Sequence, residues 1–133
     1  MYFAYGANLC RAHMALWCPE SAPVGLASLV DHRLVFRTWV DVAPSPGDAV
    51  AGALYELSPR DLECLDAFQD FPALYGRAHA RVMTDDGPVD ALVYRMNPGR
   101  ALALPEEDYL RLLLQGYQDW GLALGVLAAL GSV

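Results

Sequence analysis

The chain has 133 residues, of which 55% are hydrophobic, and a formal net charge of −7. Such a length is typical of one domain, and the apolar content is enough to build a core without disulfides or a metal. An acidic surface repels nucleic acid and anionic membranes, so neither is expected as a partner and a small molecule is favoured. We therefore expect a single domain over residues 1–133.

The cysteines and the two ends of the chain bear on its location. Three cysteines, Cys10, Cys18 and Cys64, suggest neither a disulfide framework nor a paired metal site, and predict reduced thiols in a cytosolic protein. No secretory signal pattern opens the sequence, so a cytoplasmic location is expected. The apolar tail over residues 122–133 is far shorter than the ~20 residues of a membrane span. It is expected to pack on the body or on a second subunit, which leaves a homodimer open.

The first half of the chain predicts strands and one helix. A short aromatic run at residues 2–5 predicts a strand that ends in a turn at Gly6. Asn8 is a candidate N-cap for a helix over residues 9–17. In chain order, strands at 24–29 and 33–40 are then expected, separated by the polar pair Asp31-His32 and followed by a Pro/Gly/Ser/Asp loop at 44–48.

The second half continues with a strand at residues 49–57. Ser58 and Pro59 then provide an N-cap and a first-turn proline for a helix that ends near Phe68. The Asp-Gly step at residues 86–87 predicts a hairpin between strands at 75–83 and 89–96.

After Pro105, apolar residues recur at helical spacing as far as Trp120 and predict an amphipathic helix. The order of these elements predicts an α+β fold, with a mixed, curved or barrel-like sheet flanked by helices.

The turn after the first strand is the leading candidate for a ligand site. A strand that passes through Gly6, Ala7 and Asn8 into a helix aims consecutive backbone N–H groups at one point, which suits an anion. Glycine allows a positive φ and a close approach there. Locally, a strand turning into a capped helix explains the same residues.

The same turn resembles a signature of a known family. Residues 2–9, Tyr-Phe-Ala-Tyr-Gly-Ala-Asn-Leu, are similar to the Tyr-Gly-Ser-Asn-Leu signature of the γ-glutamylcyclotransferase-like (AIG2-like) family, with alanine in place of serine. Several motifs in the right order are far more specific than one, and the likeness spans residues 2–122. The further matches are residues 52–58, Leu62, Leu65-Asp66, Tyr75, Tyr109 and residues 116–122.

The resemblance implies an activity and a set of site residues. The best-known members of the family release 5-oxoproline from a γ-glutamyl compound, whose own α-amine attacks its γ-carbonyl. By resemblance, backbone amides of the turn hold the γ-glutamyl group and any developing oxyanion, while two tyrosines shape the pocket. No cofactor and no metal is implied. The residues assigned to substrate binding in this way are Tyr5, Gly6, Ala7, Asn8, Leu9, Tyr75 and Tyr109.

One position departs from the family pattern. Four residues after Leu65, where the family has the glutamate that transfers the proton, this chain has Gln69. A carboxamide has no basic site near neutral pH, whereas a carboxylate accepts a proton from an ammonium group. We therefore expect this chain to bind γ-glutamyl amines or γ-glutamyl amino acids well and to turn them over poorly.

Three explanations of Gln69 stay open at this point. The residue is an engineered substitution that traps a ligand, or it marks a natural loss of activity, or Asp70 has taken over as base. Adjacent residues on a strand face opposite ways, which argues against Asp70 unless the connector at residues 69–72 is irregular. The alternatives to a cyclotransferase are a catalytically silent γ-glutamyl-binding protein and an enzyme that removes a γ-glutamyl protecting group in a biosynthetic pathway.

Other polar residues carry weaker expectations. Arg77, His79 and Arg81 alternate along one strand face, where they could meet an acidic substrate tail or simply face solvent. His13 and His32 have no carboxylate or cysteine at metal-ligand spacing, so no metal site is expected.

Overall fold

A computed structural model describes residues 1–127. Over that range the chain forms five β-strands and three α-helices, with one 3₁₀ turn at Ala7–Leu9. The strands are β1 (Tyr2–Ala4), β2 (Ala22–Arg37), β3 (Trp39–Glu56), β4 (Tyr75–Thr84) and β5 (Gly87–Met96). The helices are α1 (Arg11–Trp17), α2 (Pro59–Phe68) and α3 (Glu107–Trp120).

The strands close into a barrel in the order β1-β3-β2-β4-β5. β1 closes it: Tyr2 pairs antiparallel with Tyr55 of β3 and parallel with Leu92 of β5. All three residues of β1 are buried, because the strand has neighbours on both edges and packed side chains on both faces. The predicted α+β fold with a mixed, barrel-like sheet is confirmed. The turn that follows β1 therefore begins at a fully buried strand of the barrel.

The prediction of two strands at residues 24–29 and 33–40 is wrong. One strand, β2, spans residues 22–37, and the chain reverses at Thr38, which has a φ of 73°. The predicted second strand therefore runs across a hairpin turn. Nothing in the sequence marks this turn, since it contains no glycine, asparagine or proline.

The polar pair at residues 31–32 lies inside β2, opposite a bulge in β3, and is not a strand end. The register jumps between Val30 and His32, so residues 45–48 of β3 lie opposite Asp31 alone. Asp31 has a φ of 59°, and its Oδ1 accepts a hydrogen bond from the Gly47 amide at 3.1 Å. The loop predicted at 44–48 is thus an irregular stretch inside β3, held by a carboxylate on the facing strand.

Helix α2 begins as predicted. Ser58 Oγ accepts a hydrogen bond from the Asp61 amide at 3.1 Å, the Asp61 carboxylate accepts one from the Ser58 amide, and Pro59 is the first helical residue. The helix runs to Phe68, so Gln69 stands at its C-terminal cap.

The hairpin and the last helix are also confirmed. β4 and β5 pair antiparallel down to Thr84 and Gly87, whose φ of 109° needs the glycine. α3 buries Leu113, Gly116 and Tyr117 on one face, as its helical spacing predicts.

Half of the apolar tail predicted to pack on the body lies outside the described residues. Leu127 is buried in the core, whereas residues 128–133 are not described. Up to residue 127, none of the helices combines the length and the apolar character that crossing a membrane requires.

Candidate active site

The turn after β1 is a 3₁₀ turn that leaves two backbone amides without a backbone partner. The Leu9 amide donates to the Gly6 carbonyl oxygen at 3.0 Å, and the Cys10 amide donates to the Ala7 carbonyl oxygen at 3.1 Å. Within residues 1–127, the amides of Ala7 and Asn8 donate to no backbone carbonyl. These two are the N–H groups that the turn can offer to a ligand, and the Ala7 amide is also directed at the Tyr109 hydroxyl.

Gly6 is required here by close packing. Its φ is −128°, so the turn does not use the positive φ that glycine allows. A Cβ atom on this residue would lie 2.5 Å from Val40 Cγ2 and 3.4 Å from the Tyr109 hydroxyl oxygen. Glycine therefore lets the turn approach β3 and α3 more closely than any side chain would allow.

The prediction that Asn8 caps the first helix is wrong. α1 begins only at Arg11, with Cys10 at the cap and no side-chain cap bond, because the 3₁₀ turn comes first. The Asn8 side chain is 2% exposed and its Nδ2 donates to the Tyr2 hydroxyl at 2.9 Å. Its Oδ1 is buried without a partner among residues 1–127. An unpaired buried acceptor of this kind is suited to a donor on a ligand.

The turn opens on a cavity of about 480 Å³, which is within the usual size range of small-molecule sites. Gln69 lines the same cavity as the turn, as the sequence predicts. Leu9 does not line it: its side chain is fully buried and its amide is used inside the turn. The lining residues are Tyr2, Tyr5, Gly6, Ala7, Asn8, His13, Trp39, Val40, Phe68, Gln69, Asp70, Leu74, Tyr75, Tyr94, Glu106, Asp108, Tyr109 and Leu112.

Gln69 reaches the cavity from the end of α2. Its amide donates to the Leu65 carbonyl oxygen at 2.9 Å, which continues the helical pattern. Burial raises the pKa of the Tyr2 hydroxyl, and hydrogen bonds from Asn8 and Gln69 oppose part of that rise. The Tyr2 hydroxyl therefore lies near both carboxamides, that of Asn8 and that of Gln69.

The connector after Gln69 is a helix terminus and not a strand. Asp70 has a φ of 49°, and its amide donates to the Ala67 carbonyl oxygen at 3.2 Å. The rule that adjacent residues face opposite ways does not apply to such a turn, and Asp70 lines the cavity together with Gln69.

The hydroxyls of three predicted site residues, Tyr5, Tyr75 and Tyr109, form different hydrogen bonds. The Tyr5 hydroxyl donates to the Tyr94 carbonyl oxygen at 2.6 Å, and the Tyr75 hydroxyl donates to the Val40 carbonyl oxygen at 2.5 Å. The Tyr109 hydroxyl instead accepts from the Val40 amide at 3.3 Å, so its own proton stays available. Burial raises the pKa of Tyr109 to about 12, which keeps it a donor at neutral pH.

The charges around the cavity are acidic. Asp70, Glu106 and Asp108 line it, whereas no arginine of residues 1–127 does, and the chain contains no lysine. In the described part of the chain, neither Asp70 nor Glu106 forms an ion pair; Asp108 lies 3.6 Å from Arg111 at the surface. Up to Leu127, no three His, Cys, Asp or Glu side chains are arranged to hold a metal ion.

The basic residues of β4 are not part of this site. Arg77 donates to Asp66 at 2.9 Å, and Arg81 lies 3.8 Å from Asp90, both at the surface. Neither they nor His79 line the cavity, so the interpretation of that strand face as solvated is the correct one. Asp66 also accepts a hydrogen bond from the hydroxyl of Tyr94, which does line the cavity.

Sequence reasoning missed several lining residues, notably Tyr2, His13, Tyr94, Glu106 and Asp108. Two of them carry a signal that could have found them. His13 lies one helical turn beyond the 3₁₀ turn, and Glu106 lies about one turn before Tyr109. Tyr94 lines the cavity because β5 pairs with β1, and no local sequence pattern specifies that pairing.

Comparison with known proteins shows the family to which this chain belongs. The sequence model of the family described as "Gamma-glutamyl cyclotransferase, AIG2-like" matches residues 2–120. The chain belongs to this family. The human protein "Gamma-glutamylcyclotransferase" is 27% identical over 93% of this chain and 73% of its own length, and the Bos taurus protein of the same name is 26% identical over 100% and 78%. A solved structure, "Gamma-glutamyl cyclotransferase", superposes with a TM-score of 0.86 at 28% identity, covering 99% of this chain and 86% of that one.

Proposed function

We propose that this member of the family is a cyclotransferase that releases 5-oxoproline from a γ-glutamyl amine. The observation that carries the proposal is the shared cavity: Ala7 and Asn8, whose amides have no backbone partner within residues 1–127, line it together with Gln69.

The substrate carries what the reaction needs in one molecule. Its α-amine attacks its own γ-carbonyl carbon, a five-membered lactam closes, and the amine partner leaves with a proton. Intramolecular attack already has the advantage of proximity, so the protein mainly has to fold the γ-glutamyl arm and move protons from the α-nitrogen to the leaving amine.

The donors of the cavity suit the anionic parts of such a substrate. The amides of Ala7 and Asn8 can hold the α-carboxylate. The Tyr109 hydroxyl can donate its proton to the carbonyl oxygen as that atom gains charge. The rings of Tyr5 and Tyr75 form apolar walls, because their hydroxyls are bound to backbone oxygens.

The acidic lining favours one class of leaving group. Asp70, Glu106 and Asp108 would repel a second carboxylate and attract a cation. An amine without a carboxylate, carrying further positive charge, therefore fits the cavity better than an amino acid does.

The alternative is a protein that binds γ-glutamyl compounds without turning them over. Gln69 supports it, since the carboxamide cannot take the α-ammonium proton. Both functions use the same cavity and differ only in turnover.

The test compares 5-oxoproline release by the unchanged chain and by Gln69→Glu on a panel of γ-glutamyl amines and amino acids. We expect slow release by the unchanged chain and a higher rate for Gln69→Glu, because a carboxylate accepts the ammonium proton and a carboxamide does not. Gln118→Glu is the matched control, because it makes the same chemical change on an exposed face outside the cavity. If Gln69→Glu binds γ-glutamyl compounds without releasing 5-oxoproline, the protein that binds without turnover is favoured. If it neither binds them nor releases 5-oxoproline, the proposed site is refuted.

A further inference from the structure

His13 brings an imidazole to the same cavity as Gln69. It lies on α1, and its ring packs edge-on against Phe68, the residue before Gln69, with ring centroids 4.9 Å apart. Trp17, one turn further along α1, flanks it with centroids 6.4 Å apart. The ring is thereby held against the end of α2 that presents residue 69.

His13 has a ring nitrogen that the protein does not use. Its Nε2 is buried and has no hydrogen-bond partner among residues 1–127. His32, by contrast, contacts the Val30 carbonyl oxygen through Nδ1 at 2.8 Å and Arg95 through Nε2 at 2.9 Å. His79 is exposed on β4 and away from the cavity. An unpaired buried nitrogen in a ligand cavity is a candidate for a role toward the ligand.

Burial lowers the pKa of His13 below its usual value of 6.5, so the imidazole is neutral at physiological pH. A neutral imidazole has one nitrogen with a free lone pair, and that nitrogen can accept a proton. A carboxamide at residue 69 cannot do so.

We propose that His13 is the proton acceptor of this chain, in the place of the carboxylate that residue 69 lacks. The proposal rests on the proposed function. On ligand binding, rotation of the side chain turns Nε2 toward the substrate amine. Nε2 takes one proton from the α-ammonium group, and the freed amine forms a C–N bond to the γ-carbonyl carbon. The imidazolium gives this proton to the leaving nitrogen as the bond to that nitrogen breaks. The lactam nitrogen then loses its remaining excess proton through Nε2 to the leaving amine, which departs as an ammonium ion, so charge and atoms balance.

Asp70 is the competing base. It also lines the cavity, but its side chain is exposed to bulk water, whereas Nε2 of His13 is buried. The experiment therefore includes Asp70→Asn as a separate arm.

Burial lowers the pKa of His13, and no charged group of residues 1–127 contributes to that shift. The aromatic side chains that pack on the ring, Trp17 and Phe68, do not titrate. The other titratable groups that line the cavity are Tyr2, Tyr5, Tyr75, Tyr94, Tyr109, Asp70, Glu106 and Asp108.

The experiment measures 5-oxoproline release by the unchanged protein, His13→Gln, Gln69→Glu and the double variant. His13→Gln is expected to lower kcat about 10²-fold in the unchanged background, which is the lower end for loss of a general base. In the Gln69→Glu background it should change kcat less than about threefold, because the carboxylate introduced at residue 69 then accepts the proton. His79→Gln, at an exposed histidine outside the cavity, is the matched control.

A second measurement needs no variant and covers the case in which His13→Gln fails to fold. The kcat of the unchanged chain should fall as the pH drops below 6.5, because protonated His13 cannot act as acceptor. A kcat that is independent of pH in this range would refute the role of His13.

Failure of this proposal is separable from failure of the proposed function. Suppose that Gln69→Glu releases 5-oxoproline. If the unchanged chain is then inactive, or if its activity is unaffected by His13→Gln, or if its activity is lost in Asp70→Asn instead, the role of His13 is refuted and the cyclotransferase function stands. If no chain releases 5-oxoproline, both fall.

Discussion

The Trp120 indole Nε1 donates a hydrogen bond to the Leu9 carbonyl oxygen at 3.0 Å. This bond joins the end of α3 to the 3₁₀ turn of the site across almost the whole length of the chain. Gly116, one turn earlier on α3, packs against the same turn so closely that a Cβ atom would lie 2.6 Å from the Cys10 nitrogen. The position of the Ala7 and Asn8 amides therefore depends on α3.

Gly116→Ala should destabilise the protein and disturb the site together. The added methyl group meets backbone atoms of the turn, which cannot move aside as a flexible side chain can. We expect a loss of about 1–3 kcal/mol in the free energy of unfolding, typical of overpacking, measured by chemical denaturation. Gly25→Ala is the control, since nothing lies within 4 Å of its Cβ position, and an equal loss there would contradict the packing argument.

Tyr109→Phe should lower turnover more than it lowers stability. It removes a hydroxyl of the predicted site whose proton no described residue accepts. We expect kcat/KM to fall about 10- to 100-fold, as for loss of a hydrogen bond to a charged oxygen, in steady-state assays of Gln69→Glu, where rates are easily measured. Tyr117→Phe changes another buried tyrosine of α3 that does not line the cavity, and it should leave kcat/KM unchanged.

Glu106→Gln should weaken the binding of substrates with cationic leaving groups. We expect KM for such substrates to rise about two- to tenfold at low salt, with a smaller effect at high salt because exposed charges are screened. KM for γ-glutamyl amino acids should not rise. Glu107→Gln is the neighbouring control, because Glu107 pairs with Arg111 at 2.8 Å outside the cavity. Equal effects of both variants would show that only net charge matters.

The stability of the protein should depend on pH through His13. Its pKa in the folded chain is lowered by burial, so the unfolded chain binds the proton more tightly. The contribution of the neutral ring is fully present above pH 6.5 and is lost as the pH falls through that value toward the folded pKa. Denaturant titrations from pH 8 to pH 5, a range of about three units around this value, should show that slope, and His13→Gln should flatten it. An unchanged slope in His13→Gln would place the histidine in a solvated environment.

Local chemistry explains which elements the sequence predicts correctly. The capping pair of Ser58 and Asp61 defines the start of α2, and the Asp86-Gly87 step defines the β4–β5 hairpin. The sequence does not predict the long β2–β3 hairpin, for two reasons. The hairpin turns at Thr38, a residue with no preference for a positive φ, and the polar residues beside the β3 bulge, opposite Asp31, have the composition of a strand end.

The candidate site likewise has a part that the sequence predicts and a part that it does not. The turn and Gln69 come from the motifs of residues 2–9 and 65–69, and the structure brings them to one cavity. The hydrogen bond of Asn8 to Tyr2 and the packing of His13 on Phe68 depend on contacts between separate elements. No spacing in the sequence specifies such contacts, which is why the sequence predicts Asn8 as a helix cap and assigns His13 no role.

The most direct test of the site is a crystal structure of the unchanged, slow chain soaked with a γ-glutamyl amine. The α-carboxylate should lie within hydrogen-bond distance of the Ala7 and Asn8 amides, with the α-amine facing residue 69. A ligand bound with its carboxylate elsewhere, or in the separate groove beside Leu57 and His79, would contradict the proposed site.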